Sequence, residues 1–372
     1  MIKDSGNTWF DNNQKKTFSL LIIFSLLLLF LAAEIALRIY YKELKLQYFI
    51  TRETSLLKSA YPAQFDAKLG YIPRVGFDST ENFWGTKVTI GDDGIRSNGG
   101  DPGPHRKNSP KILAVGDSFT FGDQVSNDET WPAYLERLTG IPVLNGGVFG
   151  YALDQIVIRA GMLTEKYRPE ILLISFIPDD ITRSELANRR NTPKPYYTVE
   201  GNRLVLHDSH IIEKNITAPA FLWDSARNIL GYSYFIHRVM SKNAPTLWYY
   251  GTYQYWKKSG ADPEQVSCLL MDKLKELETA SGAKTILIAQ YSSSPSARHL
   301  ALSKKLIDCA KKTGINVLDF YPVLEEIKRN APEKHSRMFD GHMTALGNRI
   351  IAQELKDHLK EKKYLPLKPE VK

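Results

Sequence analysis

KILAVGDSF, Lys111 to Phe119, decides the fold of this 372-residue chain. The apolar run Lys111 to Val115 is short and β-branched enough for a buried strand, and it ends in Gly116, where a side-chain-free residue allows a tight turn. A helix is expected next, around Trp131 to Thr139. The strand, loop and helix pattern then recurs. Val143-Leu144 precedes a glycine-rich loop and a helix near Asp154 to Tyr167, and Ile171 to Phe176 (ILLISF) runs into Pro178. Lys284 to Gln290 follows a helix near Pro263 to Ser281, and Asn316 to Phe320 follows one near Ser296 to Thr313. A last helix starts at Thr344, a suitable cap, with apolar residues at Leu346, Ile350, Ile351 and Leu355. Apolar strands alternating with amphipathic helices predict a three-layer α/β/α sandwich around a parallel, flavodoxin-like sheet.

The alternation lapses between Thr182 and Asp262, so residues 182–262 are expected to form an inserted cap. The stretch YYTVEGNRLVLH reads as a hairpin turning at Gly201-Asn202. The cap carries Trp223, Tyr232, Tyr234, Phe235, Trp248, Tyr249, Tyr250 and Trp256. Most of these are expected to pack the cap onto the main domain, with some free to stack sugar rings.

Phe18 to Leu37, FSLLIIFSLLLLFLAAEIAL, is long and apolar enough to cross roughly 30 Å of hydrocarbon. It is expected to be an uncleaved anchor, over residues 18–40, behind a short tail (1–17); a cleaved signal peptide is the competing reading. Glu34 and Arg38 lie one turn apart and can pair. The lysines and arginines flanking the span on both sides leave orientation open. An extracytoplasmic catalytic domain is expected. Residues 41–110 read as a juxtamembrane helix near Glu43 to Ser59 followed by an irregular β-rich lead-in. The catalytic domain then covers 111–362, with a basic tail over 363–372.

The formal net charge of +8 is spread along the chain with an excess after Lys356, and no nucleic-acid motif accompanies it. The excess is expected to be a solvated tail, with attraction to anionic lipid headgroups or an acidic polysaccharide as the alternative. Two cysteines, Cys268 and Cys309, are too few for a disulfide framework and are expected as buried thiols. No Cys/His cluster has metal-ligand spacing, so no metal or cofactor is expected.

In parallel α/β sheets, reactive groups lie beyond the carboxyl ends of the strands. Here three loops end strands in that way, beginning at Gly116, Asn145 and Phe176. Ser118 is the nucleophile candidate. His342 in Phe339-Asp340-Gly341-His342, just before the last helix, is the candidate base, and Asp340 is placed to orient it. At these residues the chain resembles the SGNH or GDSL hydrolase superfamily, especially bacterial members with one N-terminal membrane helix. Gly116-Asp-Ser-Phe119 resembles the family's first block, and Asn145-Gly-Gly-Val-Phe-Gly150-Tyr the second. Asp340-Gly-His342 resembles the last block in a shortened form. The resemblance implies an ester hydrolase acting through an acyl-enzyme, with the Ser118 and Gly150 N–H groups as oxyanion donors. Phe176-Ile-Pro-Asp179-Asp180 departs from the family's Gly-x-Asn-Asp, so Asp179 stands where an Asn would donate. A protonated Asp179, the expected state, could still donate; an ionised one would repel the oxyanion, and one turned away would leave it unaffected. The expected substrate is an acyl ester, acetyl above all, on a cell-envelope or exported polysaccharide. An O-acyltransferase and a non-catalytic carbohydrate-binding protein are the alternatives.

Overall fold

The computed structural model describes residues 9, 13–46, 57, 61–79, 85–100, 112–190, 192–211, 221–244, 247–248 and 256–365. It divides into two compact units, Met1–Thr54 with Thr217–Tyr253, and Ser55–Ile216 with Gln254–Lys372.

The larger unit opens with an antiparallel hairpin, β1 (Ala63–Asp66) and β2 (Gly70–Pro73). The sheet strands β3 (Ile112–Val115), β4 (Val143–Asn145) and β5 (Ile171–Phe176) follow. The insertion contributes β6 (Leu186–Arg189), β7 (Thr192–Pro193), β8 (Tyr196–Glu200), β9 (Arg203–His207) and β10 (Trp256–Lys258). The chain returns to the sheet with β11 (Lys284–Ala289) and β12 (Asn316–Asp319). The five-stranded sheet has the order β12-β11-β5-β3-β4, every neighbouring pair parallel. This is the expected flavodoxin-like order. β3 to β5 are buried along their whole length, because helices cover both faces. Trp131–Thr139 packs with Ala345–Glu361 in one helical layer; Pro263–Ser281 packs with Leu153–Tyr167 and Ala297–Lys312 in the other. The chain reverses direction across the sheet between β3 and β5. That switch point opens a crevice beyond their carboxyl ends, and the loops after both strands meet there.

The expected hairpin forms as β8 and β9, with Gly201 and Asn202 both at positive φ (53° and 66°). A three-stranded sheet, β10-β6-β7, stands beside it in the insertion.

The lead-in is irregular but not loose. Arg96 pairs through its backbone with Asn145 at the end of β4 (N···O 2.9 Å), and its side chain is almost fully buried. Its guanidinium donates to the carbonyls of Phe121 (2.7 Å), Gly122 (2.5 Å) and Val125 (2.5 Å), and to Asn127 Oδ1 (3.3 Å). Arg159 does similar work from the helix Leu153–Tyr167, donating to the carbonyls of Gly146 (2.7 Å), Asp93 (2.9 Å) and Gly94 (3.2 Å). Buried carbonyls without donors would cost about 1–3 kcal/mol each, so these two side chains weld the lead-in to the loops after β3 and β4.

Of the juxtamembrane helix expected over 43–59, residues 43–46 are not helical, and most of the rest lie outside the described residues. The basic tail over 363–372 lies largely outside them too.

The smaller unit contains the apolar helix Gln14–Tyr41, long and apolar enough to span a membrane. Glu34 pairs with Arg38 as expected (2.5 Å). The same carboxylate accepts from Ser233 Oγ (2.8 Å) and from the N–H groups of Tyr234 (2.8 Å) and Phe235 (2.9 Å), capping the helix Tyr234–Asn243. Phe235 meets Phe30 edge to face (5.8 Å), and Tyr234 meets Tyr41 (5.9 Å). Thus Tyr234 and Phe235, expected to hold a cap to the main domain, pack instead with the apolar helix. The expected insertion is divided, its middle part belonging with that helix.

The two cysteines are not free thiols. They occupy the neighbouring helices Pro263–Ser281 and Ala297–Lys312, whose packing brings their Cα atoms to 5.3 Å, and they form a disulfide. The thiol expectation failed because spacing along each helix carries no information about which helices become neighbours. The bridge closes a separation of 41 residues. In the chain-entropy account such a bridge stabilises by about 4 kcal/mol. Urea unfolding with and without dithiothreitol should reveal a loss of that order on reduction, and coincident curves would contradict it.

Candidate active site

Ser118 is the first residue of the short helix Ser118–Phe121, and Asp117 caps that helix by accepting from the Phe119 N–H (3.0 Å). Gly116 is required by space. A Cβ there would lie 2.2 Å from Thr120 Oγ1 and 2.8 Å from the Ser175 carbonyl, so any larger residue would push the turn away from β5. The result is a serine that is 6% exposed at the carboxyl end of β3.

His342 arrives from the far end of the chain. Strands β13 (Phe339–Asp340) and β14 (His342–Met343) form a minimal hairpin around Gly341, which takes φ 75°. The hairpin aims the imidazole at the serine, with Nε2 3.0 Å from Ser118 Oγ. Nδ1 lies 3.3 Å from Gln124 Oε1, and the same oxygen accepts the His342 backbone N–H at 3.0 Å. A backbone N–H can only donate, so the amide oxygen of Gln124 must face it. That orientation makes Nδ1 the protonated ring nitrogen and leaves Nε2 free to accept from Ser118.

Asp340 does not take the place expected of it. It is exposed, and among the described residues it makes no hydrogen bond to the imidazole. An antiparallel partner in so tight a hairpin lies beside the histidine backbone, not behind its ring. Two residues passed over in the sequence stand near the ring instead. One is Gln124, an exposed residue in the left-handed region (φ 70°). The other is Asp123, whose Oδ2 lies 3.7 Å from Nε2 and accepts from Tyr61 OH at 3.3 Å. No motif marks either one; their roles arise from the path that Arg96 imposes on residues 121–125.

Burial dominates the electrostatics. Desolvation pushes Asp123 up to about 8 against the pull of Arg96, with Asp117 adding to the rise. Asp117 is raised to about 6, again by desolvation first, with Arg183 opposing. Burial and then the positive charge of Arg183 hold His342 below its usual range.

Gly150 takes φ 71°, and a Cβ there would collide with the Arg189 guanidinium, which donates to the Gly150 carbonyl. Neither the Gly150 N–H nor the Ser118 N–H has an acceptor among the described residues. Asp179 follows Pro178 in the short helix Pro178–Arg183 and is half-buried. Its side chain makes no hydrogen bond among the described residues and does not line the cleft. Its neighbour Asp180 is fully buried, accepting the Ile177 N–H (2.9 Å) and pairing with Arg183 (2.6 Å). Desolvation, then Asp117, raise the Asp180 pKa well above the carboxylate range. The cleft, of about 160 Å³, is lined by Ser118 and His342 together with Tyr61, Asp123, Phe149, Gly150, Arg183, Arg189 and Arg190. No group of three or more His, Cys, Asp or Glu residues suited to a metal ion occurs among the described residues.

No family model matches the chain. An arylesterase from Vibrio mimicus is 30% identical over 77 residues, covering 19% of this chain and 38% of that protein. The chain thus spans well under half the length of the curated relative it matches. Among solved structures, a lipolytic protein of the G-D-S-L family from Desulfitobacterium hafniense DCB-2 is similar at 15% identity, covering 67% of this chain and 99% of that one, with a TM-score of 0.37. A member of the same family from Veillonella parvula DSM 2008 is similar at 14% identity (67% and 97% covered, TM-score 0.40). A catalytic mutant of an acetylxylan esterase from Geobacillus stearothermophilus is similar at 13% (68% and 94% covered, TM-score 0.36).

The tautomer argument is testable without turnover. In NMR the His342 ring should titrate below about 6.5, the usual imidazole value. Gln124→Glu, which sets a carboxylate beside Nδ1–H, should raise that midpoint by about one unit. A midpoint unmoved by the substitution would remove Gln124 from the ring. In its ordered motifs, Gly116-Asp-Ser-Phe119, Asn145 to Tyr151 and Asp340-Gly-His342, the chain resembles the SGNH or GDSL hydrolases.

Proposed function

We propose that the chain is a serine esterase of SGNH type that acts on short acyl esters through an acyl-enzyme, with Ser118 as nucleophile and His342 as general base. The observation that carries this reading is the 3.0 Å contact between Ser118 Oγ and His342 Nε2, beside two N–H groups that lack acceptors among the described residues. Ser118 attacks the ester carbonyl as Nε2 takes its proton, and the Ser118 and Gly150 N–H groups receive the developing oxyanion. The imidazolium returns the proton to the departing alcohol. Water, activated in turn by His342, releases the acyl group. Asp179 stays outside this oxyanion hole, and Asp340 outside the proton path.

The apolar helix Gln14–Tyr41 would anchor the enzyme in a bilayer with the catalytic unit on the extracytoplasmic side. The Cys268–Cys309 disulfide supports that side, since such bridges persist in oxidising compartments. A cell-envelope or exported polysaccharide bearing acetyl groups is the natural substrate in such a location. The similarity to an arylesterase over 77 residues supports ester chemistry.

Ser118→Ala should abolish both p-nitrophenyl acetate turnover and covalent labelling by a fluorophosphonate. His342→Ala should lower turnover about as far, with the double variant losing little more because the pair acts as one unit. Near-additive losses, or labelling that survives Ser118→Ala, would refute the assignment. The imidazole must be neutral to accept the serine proton, and its pKa is lowered, so activity should persist at pH values below the usual imidazole range and fall only beneath it. Asp179→Asn should leave turnover of a small ester nearly unaltered; a large gain at every pH would place an ionised Asp179 against the oxyanion.

A further inference from the structure

The cleft beside Ser118 is lined by three guanidinium groups and one carboxyl. Arg183 is committed to the fold. It pairs with Asp180 at 2.6 Å, donates to the Tyr151 carbonyl at 3.2 Å and stands 4.0 Å from Asp117. Arg189, the last residue of β6, donates to the Gly150 carbonyl and so braces an oxyanion donor. Arg190 is different. Its guanidinium lies over the Tyr61 ring at 5.7 Å, and among the described residues it has no carboxylate partner. Its backbone sits in the left-handed region, φ 48°, which a bulky side chain adopts only at a cost. Strain of this kind persists where the surrounding structure holds it, and here it turns a cation toward the nucleophile.

The floor beneath Arg190 is apolar, because Tyr61 packs on Phe149 with ring centroids 4.6 Å apart. A guanidinium laid on an aromatic face keeps its edge N–H groups free for paired oxygen acceptors. The volume of about 160 Å³ equals roughly five water molecules, enough for a small acyl group and one substituent.

We propose, building on the esterase reading, that the cleft selects esters that also carry an oxygen-acid anion, a carboxylate or a sulfate or phosphate, and that Arg190 holds that anion. Asp123 does not cancel this field at neutral pH, since burial and then Asp117 keep it largely protonated. The substrate class that follows is an acylated acidic sugar or a comparable anionic ester, recognised by its charge as well as its acyl group.

Binding and turnover can be read separately. In the full chain in detergent, Ser118→Ala blocks hydrolysis, so calorimetry can compare intact 4-acetoxybenzoate, 4-acetoxybenzenesulfonate and phenyl acetate. One of the two anions should bind at least tenfold more tightly than the neutral ester, and the stronger of them identifies carboxylate or sulfate-like chemistry. The added substitution Arg190→Gln should remove the preference, and Arg190→Lys should retain most of it, with circular dichroism confirming the fold of each. Equal binding of all three esters, or a preference that survives Arg190→Gln, would overturn the proposal. Turnover by the protein with Ser118 intact tests the other reading. If none of the three is hydrolysed while the binding preference stands, the esterase assignment fails and the anion site does not.

Discussion

The site depends on one buried cation that never touches substrate. Arg96 spends its guanidinium on three main-chain carbonyls and one side-chain amide in residues 121–127. Such carbonyls must be satisfied when buried, and a guanidinium is the one side chain with five donors in a rigid plane. Burial pulls the Arg96 pKa down to about 10, which leaves it fully charged at neutral pH. The loop it holds starts at the end of the nucleophile helix and carries Asp123 and Gln124 in succession. Both groups facing the imidazole are therefore set by an arginine from the segment that precedes the sheet. A carboxylate partner could have neutralised the guanidinium more simply, but it would not have fixed the carbonyls of Phe121, Gly122 and Val125.

The sheet was legible in the sequence because buried parallel strands leave short apolar runs such as ILAV and ILLISF, alternating with amphipathic helices. The capped helix at Thr344 and the turn at Gly201-Asn202 were legible for similar local reasons: a side-chain hydroxyl for a free N–H, and a pair of residues that accept positive φ. The nucleophile and base stood out because each sits in a short glycine-bearing loop at the end of a strand. What the sequence did not disclose are contacts between segments far apart. The pairing of Cys268 with Cys309 depends on which helices lie side by side. The place of Gln124 depends on Arg96, and the grouping of Tyr234 with Glu34 joins residues 200 positions apart. Asp340 misled because a carboxylate two residues before a histidine looks like an orienter until the hairpin between them is built.

A neutral amide behind the imidazole changes the character of the base. A carboxylate there would stabilise the imidazolium and raise its pKa, giving a stronger base that is more readily blocked by acid. With an amide there, and with burial first and the charge of Arg183 second lowering its pKa, His342 is a weaker base that stays unprotonated over a wider range. Asp123, with Oδ2 3.7 Å from Nε2, is the carboxyl nearest the ring among the described residues.

Serine and histidine lie 224 residues apart along the chain. The sheet is complete at β12, some twenty residues before the hairpin that delivers His342. A chain ending at β12 would therefore hold every strand of the parallel sheet and Ser118 but neither the base nor the helix Ala345–Glu361, whose Ile351, Ala352, Leu355 and Leu359 complete the core. Nucleophile and base are thus carried on opposite sides of the last sheet strand in chain order, and the hairpin over residues 339–343 is what brings the base to the sheet's carboxyl edge.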